Sequence, residues 1–166
     1  MKYFTSKWWS FDSCEEGDDT FERYRSYIAS IRDKLSPDPL TLVEQVSLHD
    51  ARVRSFSLSG PRKRAKLILA GYDYSPLDRG DPPAKVRFTL QYQGISALLV
   101  RGRCNELCAW FKNSDLGYSE LECLPGDVFE HRMLFSSGNE VIVRFRQFEL
   151  ESVPAGTARR PRSARR

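Results

Sequence analysis

Histidine is scarce in this sequence, with only His49 and His131 present, so acid-base or metal chemistry built on imidazole has few places to act. The four cysteines, Cys14, Cys104, Cys108 and Cys123, include no Cys-x-x-Cys pair, which argues against a disulfide framework and for reduced thiols. There is no Gly-x-Ser-x-Gly elbow, Walker loop, His-Glu-x-x-His or Gly-x-Gly-x-x-Gly, so the common signatures of hydrolases, nucleotidases, metalloproteases and dinucleotide enzymes are missing. Long apolar runs are missing too: the longest, Ile95 to Val100, is interrupted by Ser96 and falls far short of the roughly 20 residues that cross a bilayer. The first ten residues lack the apolar segment and small-residue cleavage site of a secretory signal. These absences predict a cytoplasmic protein with no membrane association.

What is present describes an ordinary globular chain of 166 residues, 40% hydrophobic and 29% charged, long enough for one well-buried core without disulfide or metal staples. The net charge of +4 is unevenly spread. Five arginines, Arg159, Arg160, Arg162, Arg165 and Arg166, fall in the last eight residues; without them 21 basic side chains face 22 acidic ones, so the body carries a net −1. Near the other end Asp12, Glu15, Glu16, Asp18 and Asp19 lie within eight residues free of any cation.

Hydrophobic spacing divides the chain at about residue 48. Tyr3, Phe4, Trp8, Trp9 and Phe11 make the first eleven residues too apolar for a disordered leader, so this arm is expected to pack on the body. Phe21, Tyr24, Ile28, Ile31 and Leu35 recur at helical spacing, with Asp19 as expected N-cap and Pro37 as stop; a second short helix is expected from Pro39 to Val46, capped by Asp38. From residue 48 the period shortens, and 51–58, 66–70, 86–92, 95–101, 118–124, 129–135 and 141–150 read as seven strands. The short turns between most of them leave little room for crossover helices, so the sheet is expected to be mainly antiparallel. The fold class predicted is α+β: an N-terminal helical part over 1–47 packed on an antiparallel β domain over 48–153, as a sandwich or a half-open barrel, with a disordered basic tail over 154–166. The segment 71–84, rich in Asp, Pro and Gly, reads as a long connecting loop.

Several constellations contain residue types that could carry chemistry. His49-Asp50 would point to opposite faces of a strand, and only a turn would let them pair; Asp50 is expected to bond local backbone instead. His131 shares its face with Phe129, Met133 and Phe135 and reads as a core histidine held by one hydrogen bond. Cys104, Cys108, Cys123 and His131 could form a zinc site only at unusual spacing, and buried inert thiols are the simpler reading. The acidic stretch fails as a calcium loop because Cys14 and Arg23 stand where oxygen ligands are needed. Arg62, Lys63, Arg64 and Lys66, with the arginine tail, could neutralise phosphates, but no aromatic ladder accompanies them.

Met1-Lys2-Tyr3-Phe4-Thr5 with Trp8, then Leu48-His49-Asp50-Ala51 with Val53, resembles an uncharacterised bacterial family classed as a domain of unknown function, as does Phe129-Glu130-His131-Arg132-Met133-Leu134-Phe135. The stretch Leu90 to Gly102, with its Gly94-Ile95 step, is similar to some small immunity proteins that neutralise bacterial toxins. The resemblance implies a helix-plus-sheet fold and a protein-binding role, with no catalysis to carry over. Together these readings predict a non-catalytic protein-binding protein, of immunity type, with no cofactor or metal. Its contacts are expected at Asp12, Glu15, Glu16, Asp18 and Asp19 and at Tyr72, Asp73 and Tyr74, since loop tyrosines are frequent interface anchors. The alternatives are weak nonspecific nucleic-acid binding through Arg62, Lys63, Arg64 and the tail arginines, and an enzyme built around His131.

Overall fold

In the computed structural model residues 1–9, 17–102 and 114–155 are described, with backbone alone for Gly17, Asp18 and Arg79. Three helices come first, α1 (Ser6–Trp9), α2 (Gly17–Ile31) and α3 (Pro37–Glu44). Eight strands follow: β1 (Ala51–Ser59), β2 (Arg64–Asp73), β3 (Ala84–Gln93), β4 (Ala97–Arg101), β5 (Asp115–Leu124), β6 (Val128–Phe135), β7 (Glu140–Phe145) and β8 (Gln147–Pro154). They form one antiparallel sheet in the order β4-β7-β6-β5-β1-β2-β3-β8. The sheet is open, because its two edge strands do not pair with each other. It is nonetheless strongly curled: Tyr92 on β3 touches His131 on β6, although three strands lie between them in the sheet.

The curl has a local origin. The expected single strand over 141–150 is two strands flanking Arg146, and the chain facing it breaks at the same level, between β3 and β4. Gly94 sits there with φ of +65°, and a Cβ on it would lie 3.2 Å from the Arg146 side chain, so a residue without a side chain makes the bend at least cost. The ladder continues round the corner through Arg146 N–H to Gln93 O at 3.0 Å and Ser96 N–H to Arg144 O at 3.0 Å. Inside the curl the two halves bury Leu67, Leu69, Leu90, Tyr92, Leu121, Met133, Val143 and Phe145, each at most 2% exposed.

Other expectations need correction. The segment 71–84 is not one long loop: residues 71–73 complete β2, and Ser75–Arg79 forms a 3-10 turn. Helix α2 starts at Gly17, which puts Asp19 inside its first turn, where it suits the helix dipole, rather than at the N-cap. It ends at Ile31, before Pro37, and Pro37 instead opens α3, with Ser36 at its N-cap. Asp38 does not cap α3; its carboxylate accepts from Leu150 N–H at 3.0 Å and fastens the helix to β8.

The weak point of the sheet is the junction of β1 and β5, which pair only through Ala51–Leu116 and Arg52–Asp115. Beyond Gly117 that edge of β5 has no strand beside it. Helix α2 fills the place: Tyr24 Oη accepts from Leu121 N–H and Tyr27 Oη from Cys123 N–H, each at 2.8 Å. The N-terminal arm packs over the same junction, as its aromatic content predicts. Phe4 lies 5.2–5.3 Å, centroid to centroid, from the rings of Trp8, Phe21, Tyr24 and Tyr118. The buried Glu120 carboxylate anchors the arm by accepting backbone N–H groups of Lys2, Tyr3 (2.8 Å) and Phe4 (3.3 Å).

Replacing Tyr24 with Phe leaves a buried backbone N–H without an acceptor. This should cost about 1–3 kcal/mol with an unchanged m-value in urea unfolding, and Tyr27→Phe, nearer the surface, should cost less. Equal midpoints for wild type and both variants would mean that the hydroxyls do not hold this edge.

Candidate functional site

Three features compete as functional sites: a groove beside α3, a cationic face of the sheet, and the surroundings of His131. The groove, about 650 Å³, runs between the end of α3 and the β2–β3 connection. Of the expected contact residues, Tyr72, Asp73 and Tyr74 come together along it. The two rings lie 6.2 Å apart and remain 40% and 38% exposed, with Leu77 on the adjoining turn 53% exposed. Monomer surfaces seldom leave several large apolar side chains grouped in the open without use. Glu44, Asp73 and Asp78 line the groove, and among the described residues no lysine or arginine does. Glu44 is already held by Arg32 through two hydrogen bonds of 2.9 and 3.1 Å. Asp73 accepts from Ser75 N–H at 2.9 Å, which stiffens the tyrosine-bearing turn.

The acidic group expected to share this role is not brought to the groove by anything on view. Asp12, Glu15 and Glu16 lie outside the described residues, as does the side chain of Asp18; Asp19 is exposed on α2 and pairs with Arg23 at 3.8 Å. The tail arginines, Arg159, Arg160, Arg162, Arg165 and Arg166, and Cys104 and Cys108 of the notional zinc site also lie outside them. Cys123 is half-buried on β5, its Sγ 3.8 Å from Leu124 O.

The cationic face is larger than its sequence signal. Arg62, Lys63, Arg64 and Lys66 are exposed at and just beyond the β1–β2 turn, as expected, and alternation along β1 and β3 adds Arg54, Lys85 and Arg87. Among the described residues none of these seven has an ion-pair partner. Ala155, where β8 gives way to the arginine-rich end of the chain, lies in the same 340 Å³ hollow as Arg54 and Lys85.

Near the β1–β5 junction His49 and Asp50 are in a turn, and Asp50 has φ of +60°. That turn makes the pairing a strand would forbid: Nδ1 of His49 lies 3.1 Å from an Asp50 oxygen, and the expected bonds from the carboxylate to local backbone are replaced. The His49 ring stands edge-on to Tyr118 at 5.0 Å.

His131 is a core residue, 1% exposed, with Nδ1 2.8 Å from the Tyr92 hydroxyl. Its other nitrogen, Nε2, has no hydrogen-bond partner among the described residues. A cavity of about 90 Å³ lies against it, walled by Tyr24, Leu42, Val43, Val46, Ser119, Leu121 and His131. A second, outer crevice of about 470 Å³ shares Tyr24, Val43, Val46 and Ser119 with it. Burial lowers the His131 pKa from 6.5 to about 4, so the ring is neutral at physiological pH. Sequence reading found His131 but not Tyr92 or Tyr24, because nothing local marks which tyrosines a curled sheet and a helix bring to it.

The remaining charge cluster is structural. On the outer face of β5, β6 and β7, Arg132 binds Glu120 (3.1 Å), Glu122 (2.6 Å) and Glu130, and Arg144 binds Glu130. Burial pushes the Glu130 pKa up, but the two guanidiniums outweigh it and hold the carboxyl below its ordinary range. Lys2 and the Met1 ammonium pair with Glu122 and Glu140, so every carboxylate here has a cation.

No protein-family model matches the chain, and no curated protein matches it.

The buried neutral His131 makes stability pH-dependent with a definite sign. Its folded pKa lies below the unfolded value, so the unfolded chain alone takes up the proton between pH 6.5 and about 4, and stability falls as pH drops through that window. At about 1.4 kcal/mol per pH unit the loss approaches about 3 kcal/mol. In urea titrations from pH 8 to 4, the wild type should lose this increment and His131→Gln should not, since Glu130 contributes equally to both. Parallel curves would show that His131 is not held neutral by burial.

Proposed function

We propose that this protein is a non-catalytic binding protein that captures a basic protein partner in the groove bearing Tyr72, Asp73 and Tyr74. The observation that carries this reading is the grouping of two exposed tyrosines and Leu77 beside carboxylates, with no cation in the groove wall among the described residues. Tyrosine supplies large contact area at small entropic cost. The carboxylates suit lysine or arginine side chains and would steer a basic surface toward the groove. The resemblance to immunity proteins gives the reading its narrower form: the partner is a toxin, and occupation of the groove neutralises it.

A second reading is favoured by the seven cations of the sheet face and its β1–β2 turn that have no ion-pair partner among the described residues. They and the tail arginines would hold nucleic acid through its phosphates, without base recognition and with steep salt dependence.

One set of proteins separates the two. A photocrosslinking residue at position 74, expressed in the native cell, should trap a basic protein that the same residue at position 58 does not. Tyr72→Ser with Tyr74→Ser, both exposed positions, should weaken binding of that protein at least tenfold, and Arg64→Ser with Lys66→Ser and Arg87→Ser should leave it unchanged. If the retained material is removed by nuclease and by the second variant instead, the nucleic-acid reading replaces the first. Binding that survives both sets of changes overturns both readings.

A further inference from the structure

We infer that the groove bearing Tyr72, Asp73 and Tyr74 takes this chain's own arginine-rich segment, residues 156–166, which turns back from the end of β8 and covers it. The place where β8 ends points there. Ala155 N–H donates to Lys85 O at 2.8 Å, which pins the chain beside β3 at its exit. Ala155 and Tyr72 line one hollow, and Tyr72 also lines the groove, so a single side chain separates that exit from the groove. Ser152, three residues earlier on β8, is itself part of the groove wall. Returning from Ala155 to the level of Ser152 takes about 10 Å. The segment 156–166 spans up to about 40 Å when extended. Gly156 comes first, a residue that reverses the chain at little steric cost, and Arg159, Arg160 and Arg162 follow within that reach.

Charge decides between the two surfaces that meet at this exit. On the sheet side, Asp115 of the hollow is paired with Arg52 and Asp50 with His49, whereas Arg54 and Lys85 have no ion-pair partner among the described residues. A segment carrying five arginines is repelled there. On the groove side Glu44 is held by Arg32, but Asp73 and Asp78 have no ion-pair partner among the described residues. These two carboxylates suit guanidinium groups, and the exposed rings of Tyr72 and Tyr74 offer faces on which a guanidinium stacks. Val46 and Phe88 in the groove wall suit the aliphatic stems. Each such contact is weak at a wet surface, but tethering raises the segment's effective concentration to the order of millimolar. Occupation in cis therefore needs no high intrinsic affinity. It has a consequence that rests on the function proposed above: a basic partner must displace the segment, so the segment restrains capture.

A photocrosslinking residue at position 163 of the full chain, with the joined peptides identified by mass spectrometry, gives the test. Crosslinks should reach residues 41–47 or 72–78 of the same chain, with a yield that does not change on dilution. Asp73→Asn with Asp78→Asn, which keeps an acceptor for Ser75 N–H, should lower that yield at least threefold, as should high salt. Arg54→Ser with Lys85→Ser should not lower it. Crosslinks to the β1–β2–β3 face, to nucleic acid or to a second copy overturn the inference, as do the absence of a crosslink and a yield indifferent to the two Asn changes. The function proposed above is read separately, from capture at position 74. A crosslink from 163 to the groove with no partner captured sinks that function and leaves the segment in place; a captured partner with no such crosslink does the reverse. Where both hold, Arg159→Ser with Arg160→Ser and Arg162→Ser should raise capture at least threefold, and unchanged capture would show that the segment does not cover the groove.

Discussion

Most of this structure depends on one shortfall of hydrogen bonds. Strands β1 and β5 share only two paired residues on each side, so most of that edge of β5 would expose its N–H groups in the middle of an otherwise continuous sheet. An unpaired edge in the interior is costly and must be covered. Two tyrosine hydroxyls from α2 do so, which fixes that helix's position and rotation, and the aromatic arm then packs over helix and strand together. The inner cavity and the outer crevice are the spaces left where helices, rather than a flat neighbouring strand, close the gap.

The distribution of charge follows from the same architecture. The outer face of the β5–β6–β7 half is covered by the arm, so its carboxylates must be neutralised by guanidiniums and by the chain's own first residues. Among the described residues nothing covers the outer face of the β1–β2–β3 half, and Arg54, Lys66, Lys85 and Arg87 are exposed there without an ion-pair partner among them. A chain whose body is nearly neutral therefore has one internally balanced face and one basic face. The tyrosine groove lies where α3 meets the β2–β3 connection, and this is why its lining is acidic and aromatic while the adjoining sheet is cationic.

Much of the fold was legible in the sequence, because alternation and helical spacing report burial directly. The seven expected strands match the observed elements apart from the split at Arg146, and the arm packs as its aromatic content required. The split is written in a change of phase that a single strand over 141–150 overlooks: Val141, Val143 and Phe145 face the core from odd positions, Phe148 and Leu150 from even ones, with Arg146 and Gln147 both exposed between them. Asp38 and Asp19 were misassigned because a carboxylate near a helix start satisfies the capping pattern whatever it bonds in three dimensions. Tyr72 and Asp73, which loop composition places in a connection, close β2 instead, and Tyr74 alone of the three lies beyond it. The partnership of Tyr92 with His131 was not legible, since it joins β3 to β6 across the curl and has no signature in either segment. The pairing of His49 with Asp50 was misjudged for the opposite reason: the residues are adjacent, and only the positive φ of Asp50 lets them meet.

The measurement that tests this account most directly is amide hydrogen exchange on the intact protein at Leu121 and Cys123. Along β5 alternate N–H groups point to opposite edges, so Glu120 and Glu122 donate toward β6 while Leu121 and Cys123 donate toward the tyrosines of α2. The account predicts exchange at Leu121 and Cys123 as slow as at Glu120 and Glu122. Fast exchange at those two amides, with their neighbours protected, would contradict it: the edge would be open to water and the helix would not be holding the sheet together.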